Sequence, residues 1–491
     1  MHLTISPADM QRIERTAFSA GVPSILLMEQ AAQAVVCTLE DMLDGCDDRH
    51  VLFVAGCGNN GGDALAAARM FVKMGGEATV WLPLGCKTPD AQSNLSYLKL
   101  LSRVTLVEGE MPAGQLLIDA VVDGLLGTGL KQTPEGAALS AIEYINAQTV
   151  PVLSIDVPSG MDALTGHLTD NACVHADCTV TFHRVKTGLY LTRRRACVGQ
   201  IVLADIGLPQ DCDDAPGYLV PEESDLVDLV PLRTTDMHKG ACGRVVLYAG
   251  SMGMSGAAAM AGLASLRAGA GLATVICPKE VMPILQTQLP NAMCVDRDRL
   301  PEFVPLHDAF VFGCGIIEDD HAWQHILSLH NENTPSVWDA GALNLLSRHP
   351  MQLGENAVLT PHAAEAARLL SCTLSEVLAD PVAAAKAIVR KYACGAVALK
   401  SATTVVTDGK RVSLNVIGTS ALAKGGSGDA LAGILGTLLA GGMPPFEAAQ
   451  GACLWHGMAG REAERQFGTR GVLTGNVADA LGKCLMDMEN L

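Results

Sequence analysis

Short apolar runs alternate with amphipathic stretches along nearly all of this 491-residue chain, and the alternation is interrupted once. Between Arg49 and Leu208 the strand-like runs are 51–55, 78–82, 116–122, 152–155, 178–182 and 200–203, with helical patterns at 63–74 and 136–147. An amphipathic segment, 6–43, precedes them. Residues 209–217, polar and bearing Pro209 and Pro216, read as a linker. A second series follows, with strands at 244–248, 273–276, 309–312, 336–338, 357–359, 397–399 and 404–407 and a helix at 257–268. Strands that alternate with helices predict a mostly parallel sheet covered on both faces. The chain is also too long for a single core. The expectation is α/β architecture in two domains, 1–212 and 213–491.

A net charge of −18, with no basic cluster beyond Arg193-Arg194-Arg195, argues against nucleic acid and anionic membranes as partners. It leaves room for a small phosphorylated ligand in a local pocket. The 16 cysteines lie scattered in apolar stretches without a CxxC pair, as reduced core thiols of a cytoplasmic protein do. The start of the chain lacks a charged segment followed by an apolar one, and no apolar run reaches bilayer length uninterrupted. A soluble protein is expected.

The strongest chemical signal is Lys424-Gly425-Gly426-Ser427-Gly428-Asp429, which opens the apolar run 430–440. Glycines around a serine let backbone N–H groups crowd one point, and the following helix aims its positive end there. Such a cup suits a nucleotide phosphate or a phosphoryl group in transit, with Asp429 placed to take a proton from a nearby hydroxyl. A plain first-turn acid is the bland alternative, but a cap does not need three glycines.

Three loops in the first half follow strands. Gly56-Cys57-Gly58-Asn59-Asn60-Gly61-Gly62-Asp63 matches GxGxxG, yet the second strand ends in Trp81-Leu82-Pro83-Leu84, with no acid for a ribose. The asparagine oxygens suit a hard, weakly charged cation or ligand hydroxyls; shaping a left-handed turn is their structural alternative. The second loop runs from Asp123 to Lys131 and the third is Asp156-Val157-Pro158-Ser159-Gly160. All three lie at carboxyl ends of strands and so define one crevice. Lys186 brings an ammonium that can pair with Asp156 for acid–base work.

In this order, Asn59 to Asp63, Val122-Asp123, Gly127-Thr128-Gly129 and Ile155 to Gly160 resemble the NAD(P)H-hydrate epimerase domain. Met10, Glu14, Gly21-Val22-Pro23 and Leu27-Met28-Glu29 extend the likeness over nearly the whole first half. The resemblance implies a Rossmann-like three-layer αβα domain and a potassium site from Asn60, Asp123 and Ser159. It implies substrate contacts from Asn59, Asn60, Gly61, Gly62, Asp63, Gly127, Thr128, Gly129, Leu130, Lys131, Gln132, Thr133 and Asp156. Asp156 and Lys186 would carry the proton chemistry. Ala64 departs from the family's usual glycine.

The second half is similar to ADP/ATP-dependent NAD(P)H-hydrate dehydratase domains, which are ribokinase-like αβα folds. The likeness rests on His238-Lys239-Gly240, Gly250-Ser251, Gly256-Ala257-Ala258, Leu266 to Leu272, Thr360-Pro361-His362, Glu365, Leu399-Lys400 and the glycine cup. It implies substrate contacts from Ala257, Gly315, His362 and Asp429. It also implies nucleotide contacts from Lys400, Ser401, Ala402, Thr403, Thr404, Gly426, Ser427 and Gly428. Asp429 would be catalytic, with Mg²⁺ accompanying ADP or ATP. Fused, the halves resemble bifunctional repair enzymes that interconvert R and S hydrates of NADH and NADPH and dehydrate the S form, releasing AMP or ADP and phosphate. Homo-oligomers are usual among them. Departures are Cys314 between Gly313 and Gly315, Gly341 in Asp339-Ala340-Gly341, Ala363-Ala364 after His362, and Ser401 after Lys400. Three other readings compete: a hydride-transferring dehydrogenase, a ribokinase-like small-molecule kinase, and a repair-like protein with a weakened or decayed second site.

Overall fold

The computed structural model describes residues 1–111, 116–130, 132–168, 172–231, 233–300 and 306–489. These form two compact units, Leu3–Tyr218 and Met1–His2 with Leu219–Leu491. The division falls after Tyr218 rather than at the expected 212/213, and residues 209–217 are not a loose linker. Asp213 accepts from Arg184 Nη1 at 2.9 and 3.2 Å and bonds His183 Nε2 at 3.0 Å, while Ala215 O takes a further Arg184 bond at 3.0 Å. Leu208 and Ala215 are buried in the first unit's core.

The first unit is built on a seven-stranded parallel sheet in the order Val104–Glu108, Glu77–Leu82, His50–Ala55, Ala120–Gly124, Val152–Ile155, Cys178–Phe182, Gln200–Ala204. Central strands such as Cys178–Phe182 are buried throughout, as strands covered on both faces must be. Val104–Glu108, absent from the sequence reading, is an edge strand whose residues are half-buried or exposed. The strand expected at 116–122 starts only at Ala120, because the carboxylate of Asp119 accepts the His50 N–H at 2.8 Å. Helix Pro7–Ser19 is capped by Ser6, whose hydroxyl accepts from Asp9 N–H at 3.1 Å, with Pro7 at its first position. Helix Ser24–Leu43 buries Leu27, Ala31, Val35 and Leu39 along one stripe and packs on helix Asn59–Lys73.

The second unit carries strands Leu219–Val220, Val412–Asn415, Thr404–Thr407, Cys394–Leu399, Gly354–Leu359, Ser336–Trp338, Ala309–Phe312, Arg244–Tyr248, Leu272–Cys277 and Met293–Asp296 as consecutive neighbours in one sheet. From Cys394–Leu399 to Met293–Asp296 the pairing is parallel; Thr404–Thr407 pairs antiparallel with both of its neighbours. The apolar helix Ser427–Ala440 packs on helix Ser255–Arg267 and on three central strands, which explains a sequence apolar all round.

In each unit the chain order reverses between two adjacent central strands: His50–Ala55 and Ala120–Gly124 in the first, Arg244–Tyr248 and Ala309–Phe312 in the second. The loops leaving the carboxyl ends of such strands part there and open a crevice. No helix among the described residues is long and apolar enough to cross a membrane.

Candidate active sites

In the first unit, the segment expected as a loop before residue 63 is the first turn of helix Asn59–Lys73, with Gly58 at the cap. Close packing requires its glycines: a Cβ on Gly61 would lie 1.9 Å from Gly56 O, and one on Gly62 2.4 Å from Met28 Cε. The departure at Ala64 does not crowd the crevice, since the Ala64 methyl is buried against the strand at Gly124.

Asp123 is wholly buried and held by four donors: Ser159 Oγ at 2.6 Å, Ser154 Oγ at 2.8 Å, Ser159 N–H at 2.9 Å and Leu125 N–H at 3.2 Å. Burial raises its carboxyl above the ordinary range, and these bonds oppose the shift. Ser159 Oγ also accepts from Leu126 N–H at 2.7 Å, and Asn60 Nδ2 donates to Leu126 O at 3.1 Å. Asn60 and Ser159 therefore converge on the Leu126 peptide, with Asp123 bonded behind Ser159. Beyond it, Gly127, Thr128 and Leu130 are half-buried, while Gly129, Gln132 and Thr133 are exposed at the crevice rim; Lys131 lies outside the described residues.

Asp156 and Lys186 meet as expected, Nζ to Oδ1 at 2.5 Å. Lys186 is 1% exposed and also donates to Phe182 O at 2.9 Å; Thr181 Oγ1 donates to Asp156 Oδ1 at 3.1 Å. Asp156 has φ +65°, and Val157 N–H closes on Ile155 O at 2.8 Å across it. That three-residue turn is rare and strained for a side-chain-bearing residue. It puts the carboxylate where a relaxed strand end would not. Two more acids act on this pair. Burial pushes Asp63 well above its usual range, with Asp156 and Glu14 adding to the shift and Lys186 opposing it. Burial likewise raises Glu14, with Lys186 opposing and Asp156 adding. Asp63 and Glu14 thus stand near enough to Lys186 and Asp156 to feel both charges, while burial disfavours their own ionised forms. In the sequence Glu14 carries part of the family likeness but no chemical role. Its signal was an acid beside Ile13 on the buried stripe of an amphipathic helix.

In the second unit, Lys400 Nζ pairs with buried Asp339 Oδ1 at 2.6 Å, and Thr360 Oγ1 donates to the same oxygen at 2.9 Å. Burial works against the Lys400 charge, but Asp339 and Glu365 outweigh it and raise the ammonium above its ordinary value. Asp429 stands in the first turn of helix Ser427–Ala440. Its carboxyl is lifted to about 6 by burial and by the Asp339 charge, with the Cys314 thiol and Lys400 pulling it back. One ligand atom each from Cys314, Asp339 and Asp429 lies within 4.8 Å of the others. Burial and the two carboxylates push the Cys314 thiol up, so it stays protonated and donates toward Asp429.

The glycine cup is built nearly as expected. Gly426 caps the helix at φ +93°, and a Cβ on Gly428 would stand 3.2 Å from Lys400 Nζ, so the helix start faces the lysine. Ser427 N–H turns back to Lys424 O at 3.3 Å, and Gly428 and Asp429 follow in the first turn of the helix, where N–H groups lack intrahelical partners. Ser427 Oγ lies 3.4 Å from Nε2 of His456, a buried imidazole whose burial lowers it to about 4 and keeps it neutral.

Ala257 and Gly315 are neighbours at the strand-order reversal, with a Gly315 Cβ falling 2.8 Å from the Ala257 methyl. His362 is half-exposed and caps helix Ala363–Leu370: Nδ1 accepts from Ala364 N–H at 3.1 Å, and Nε2 sits 3.4 Å from Glu365 Oε1. Its ring is thus engaged locally, although its backbone lies beside Lys400. Ser401 and Ala402 are exposed, Thr403 is buried and Thr404 opens a strand, all in the hairpin turn after Lys400. Ser401 is not among the residues of positive φ, so its Cβ introduces no backbone strain. The departure at Gly341 is matched locally, since any side chain there would begin 2.7 Å from Ile316 Cγ1.

Two crevices, each lined by a carboxylate–lysine pair at strand ends, define an enzyme of two α/β domains. A family profile described as NAD(P)H-hydrate dehydratase matches residues 245–483, and one described as YjeF-related protein N-terminus matches residues 24–188. The chain is 35% identical over 491 residues to the bifunctional NAD(P)H-hydrate repair enzyme of Escherichia coli (strain K12), covering 96% of this chain and 92% of that one. It is 34% identical over 517 residues to the enzyme of that name from Moorella thermoacetica, covering 99% and 97%. It belongs to the bifunctional NAD(P)H-hydrate repair enzyme family. A solved ADP/ATP-dependent NAD(P)H-hydrate dehydratase from Bacillus subtilis, co-crystallised with ATP and Mg²⁺, superposes with a TM-score of 0.52 at 27% identity, over 56% of this chain and 100% of that one. A ribokinase-like superfamily protein from Enterococcus faecalis V583 gives 0.51 at 26%, over 55% and 96%.

Proposed function

We propose that this chain repairs hydrated NADH and NADPH, epimerising the R and S hydrates in its first unit and dehydrating the S form in its second at the expense of ADP or ATP. The observation that carries this reading is Asp429, a carboxyl lifted to about 6 beside the Lys400 ammonium and the start of a glycine-capped helix. A ring hydroxyl is a poor leaving group. Asp429 takes its proton as the oxygen accepts the terminal phosphoryl group; the resulting phosphate ester then leaves as inorganic phosphate while the adjacent ring carbon gives up a proton to water, and the electrons of that C–H bond restore the ring double bond. Lys400 and the first-turn amides of Gly428 and Asp429 offset charge on the transferred group, a positioning and electrostatic task. Lys400 and residues 401–404 are assigned to the nucleotide; Ala257, Gly315 and His362 are assigned to the substrate. The oxygens of Asp339 and Asp429 would hold Mg²⁺, whose charge would offset that of the nucleotide phosphates.

In the first unit, inverting a hydroxyl-bearing carbon requires the hydroxyl to leave as water and water to return on the other face. Leaving needs a proton delivered, and return needs one removed. Lys186 and Asp156, with the proton-holding Glu14 and Asp63 beside them, fit both tasks. Asn60, Asp123, Ser159 and Leu126 O fit a weakly hydrated monovalent cation such as K⁺, which would fix the loops and counter phosphate charge. Asn59 to Asp63 and Gly127 to Thr133 are assigned to the dinucleotide. Cytoplasmic location accords with 16 free thiols, and homo-oligomerisation belongs to the same reading.

The test is to supply mixed hydrate epimers with nucleotide and Mg²⁺ and to follow recovery of reduced-nicotinamide absorbance. Full consumption with stoichiometric release of free phosphate is expected. A stable phosphorylated product would favour a small-molecule kinase instead.

A further inference from the structure

The second unit also brings together three side chains that the proposed chemistry does not use. His321 and His325 stand one turn apart on helix Asp320–Leu329 and leave the same face, their ring centroids 4.2 Å apart. Asp298 comes from the turn Arg297–Arg299 that follows the edge strand Met293–Asp296. One ligand atom from each of the three lies within 4.8 Å of the others. Buried Tyr248, at the end of its strand, sets its hydroxyl 3.0 Å from His325 Nδ1. An outer partner on one ring nitrogen orients the imidazole and leaves the other nitrogen to ligate, the arrangement metal-binding histidines carry.

Of the neighbouring charges, Arg297 approaches Asp298 only to 3.9 Å, too far for a hydrogen bond, and acts on Tyr248 and His325, while Asp319 is engaged as the helix cap, accepting Ala322 N–H at 2.8 Å. Two nitrogens and one oxygen are the wrong set for Mg²⁺ or Ca²⁺, which take oxygen, and the right one for zinc.

We propose that Asp298, His321 and His325 bind a divalent transition ion of the zinc class, with water completing the shell. Tetrahedral zinc at its usual bond lengths sets ligand atoms about 3.3 Å apart. Asp298 and His321 are exposed, so rotamer changes can close the remaining gap. The ion would staple the turn beyond the edge strand to a helix on the sheet.

The test is calorimetric titration of the chelator-treated full chain with Zn²⁺, paired with thermal melts. Because thiols also take zinc, the readout is the difference from wild type. His321→Ala and His325→Ala are each expected to remove one equivalent, and Tyr248→Phe to weaken that equivalent about 10-fold. Zinc should raise the wild-type Tm more than that of His321→Ala, with the metal-free melts of the two coinciding. His321→Gln, which keeps a polar side chain on the exposed turn, is expected to match His321→Ala. Unchanged stoichiometry and affinity in both His321 variants, or no zinc bound by wild type, overturns the proposal.

Discussion

Asp429 couples the chemistry of the second site to its stability. A carboxyl titrating near 6 is protonated in acid and cannot accept a proton, so kcat/KM for dehydration should fall below an apparent pKa near 6 while Lys400 stays charged throughout. Asp429→Asn should lower kcat at least about 100-fold. The same raised pKa fixes the sign of its effect on folding. Below about pH 3 the group is neutral in folded and unfolded chains alike. As pH rises from about 4 to about 6 the unfolded chain ionises it while the fold keeps it neutral, so stability falls across that window and levels off above it. Asp429→Asn should therefore raise Tm at pH 8 and leave it nearly unchanged at pH 3, as melts at the two pH values would reveal. At the first site, Lys186→Met should abolish epimerisation yet leave dehydration of pure S hydrate intact. Glu14→Gln should slow epimerisation and shift its pH profile, because it removes one of three acids that share the ammonium. A profile identical to wild type would assign Glu14 to packing alone.

At the scale of elements, backbone proximity constrains both sites more tightly than side-chain identity does. Gly313 has φ +118°, and a Cβ there would meet Asp339 O at 1.8 Å. Gly313→Ala should cost about 3 kcal/mol, from strain together with displacement of the Asp339 turn, measurable as a shifted denaturation midpoint. The sequence shows such turns as glycines but not what approaches them. That is why the helix start at Asn59 was hidden: residues 59–62 read as a flexible loop until Gly56 O is seen filling the space a Cβ would take. Val104–Glu108 was hidden for another reason, since an edge strand lacks the continuous apolar run of a buried one. Buried parallel strands and strand-end acids were legible, Asp123 and Asp156 among them. Asp339 and Thr360, at the ends of Ser336–Trp338 and Gly354–Leu359, are strand-end residues of the same kind, named in the likeness without a site role. His456 and Cys314 carry no comparable signal, because a lone histidine or thiol in an apolar stretch reads as core.

At the scale of the whole chain, two sites on separate units should behave additively. A double variant, Lys186→Met with Asp429→Asn, is expected to show the sum of the two defects in free-energy terms, and an excess in either activity would reveal coupling between them. The complementary pattern in mixed epimers is half consumption by Lys186→Met and none by Asp429→Asn. The clasp of Asp213 on Arg184 bears on how the halves can be handled separately. A gene cut at codon 212 would strand a largely buried guanidinium without its carboxylate, at a cost of about 3 kcal/mol, whereas a cut at 218 keeps the latch shut. The shorter fragment should melt earlier and stick to itself, and its poor behaviour would be a flaw of the scissors rather than of the domain.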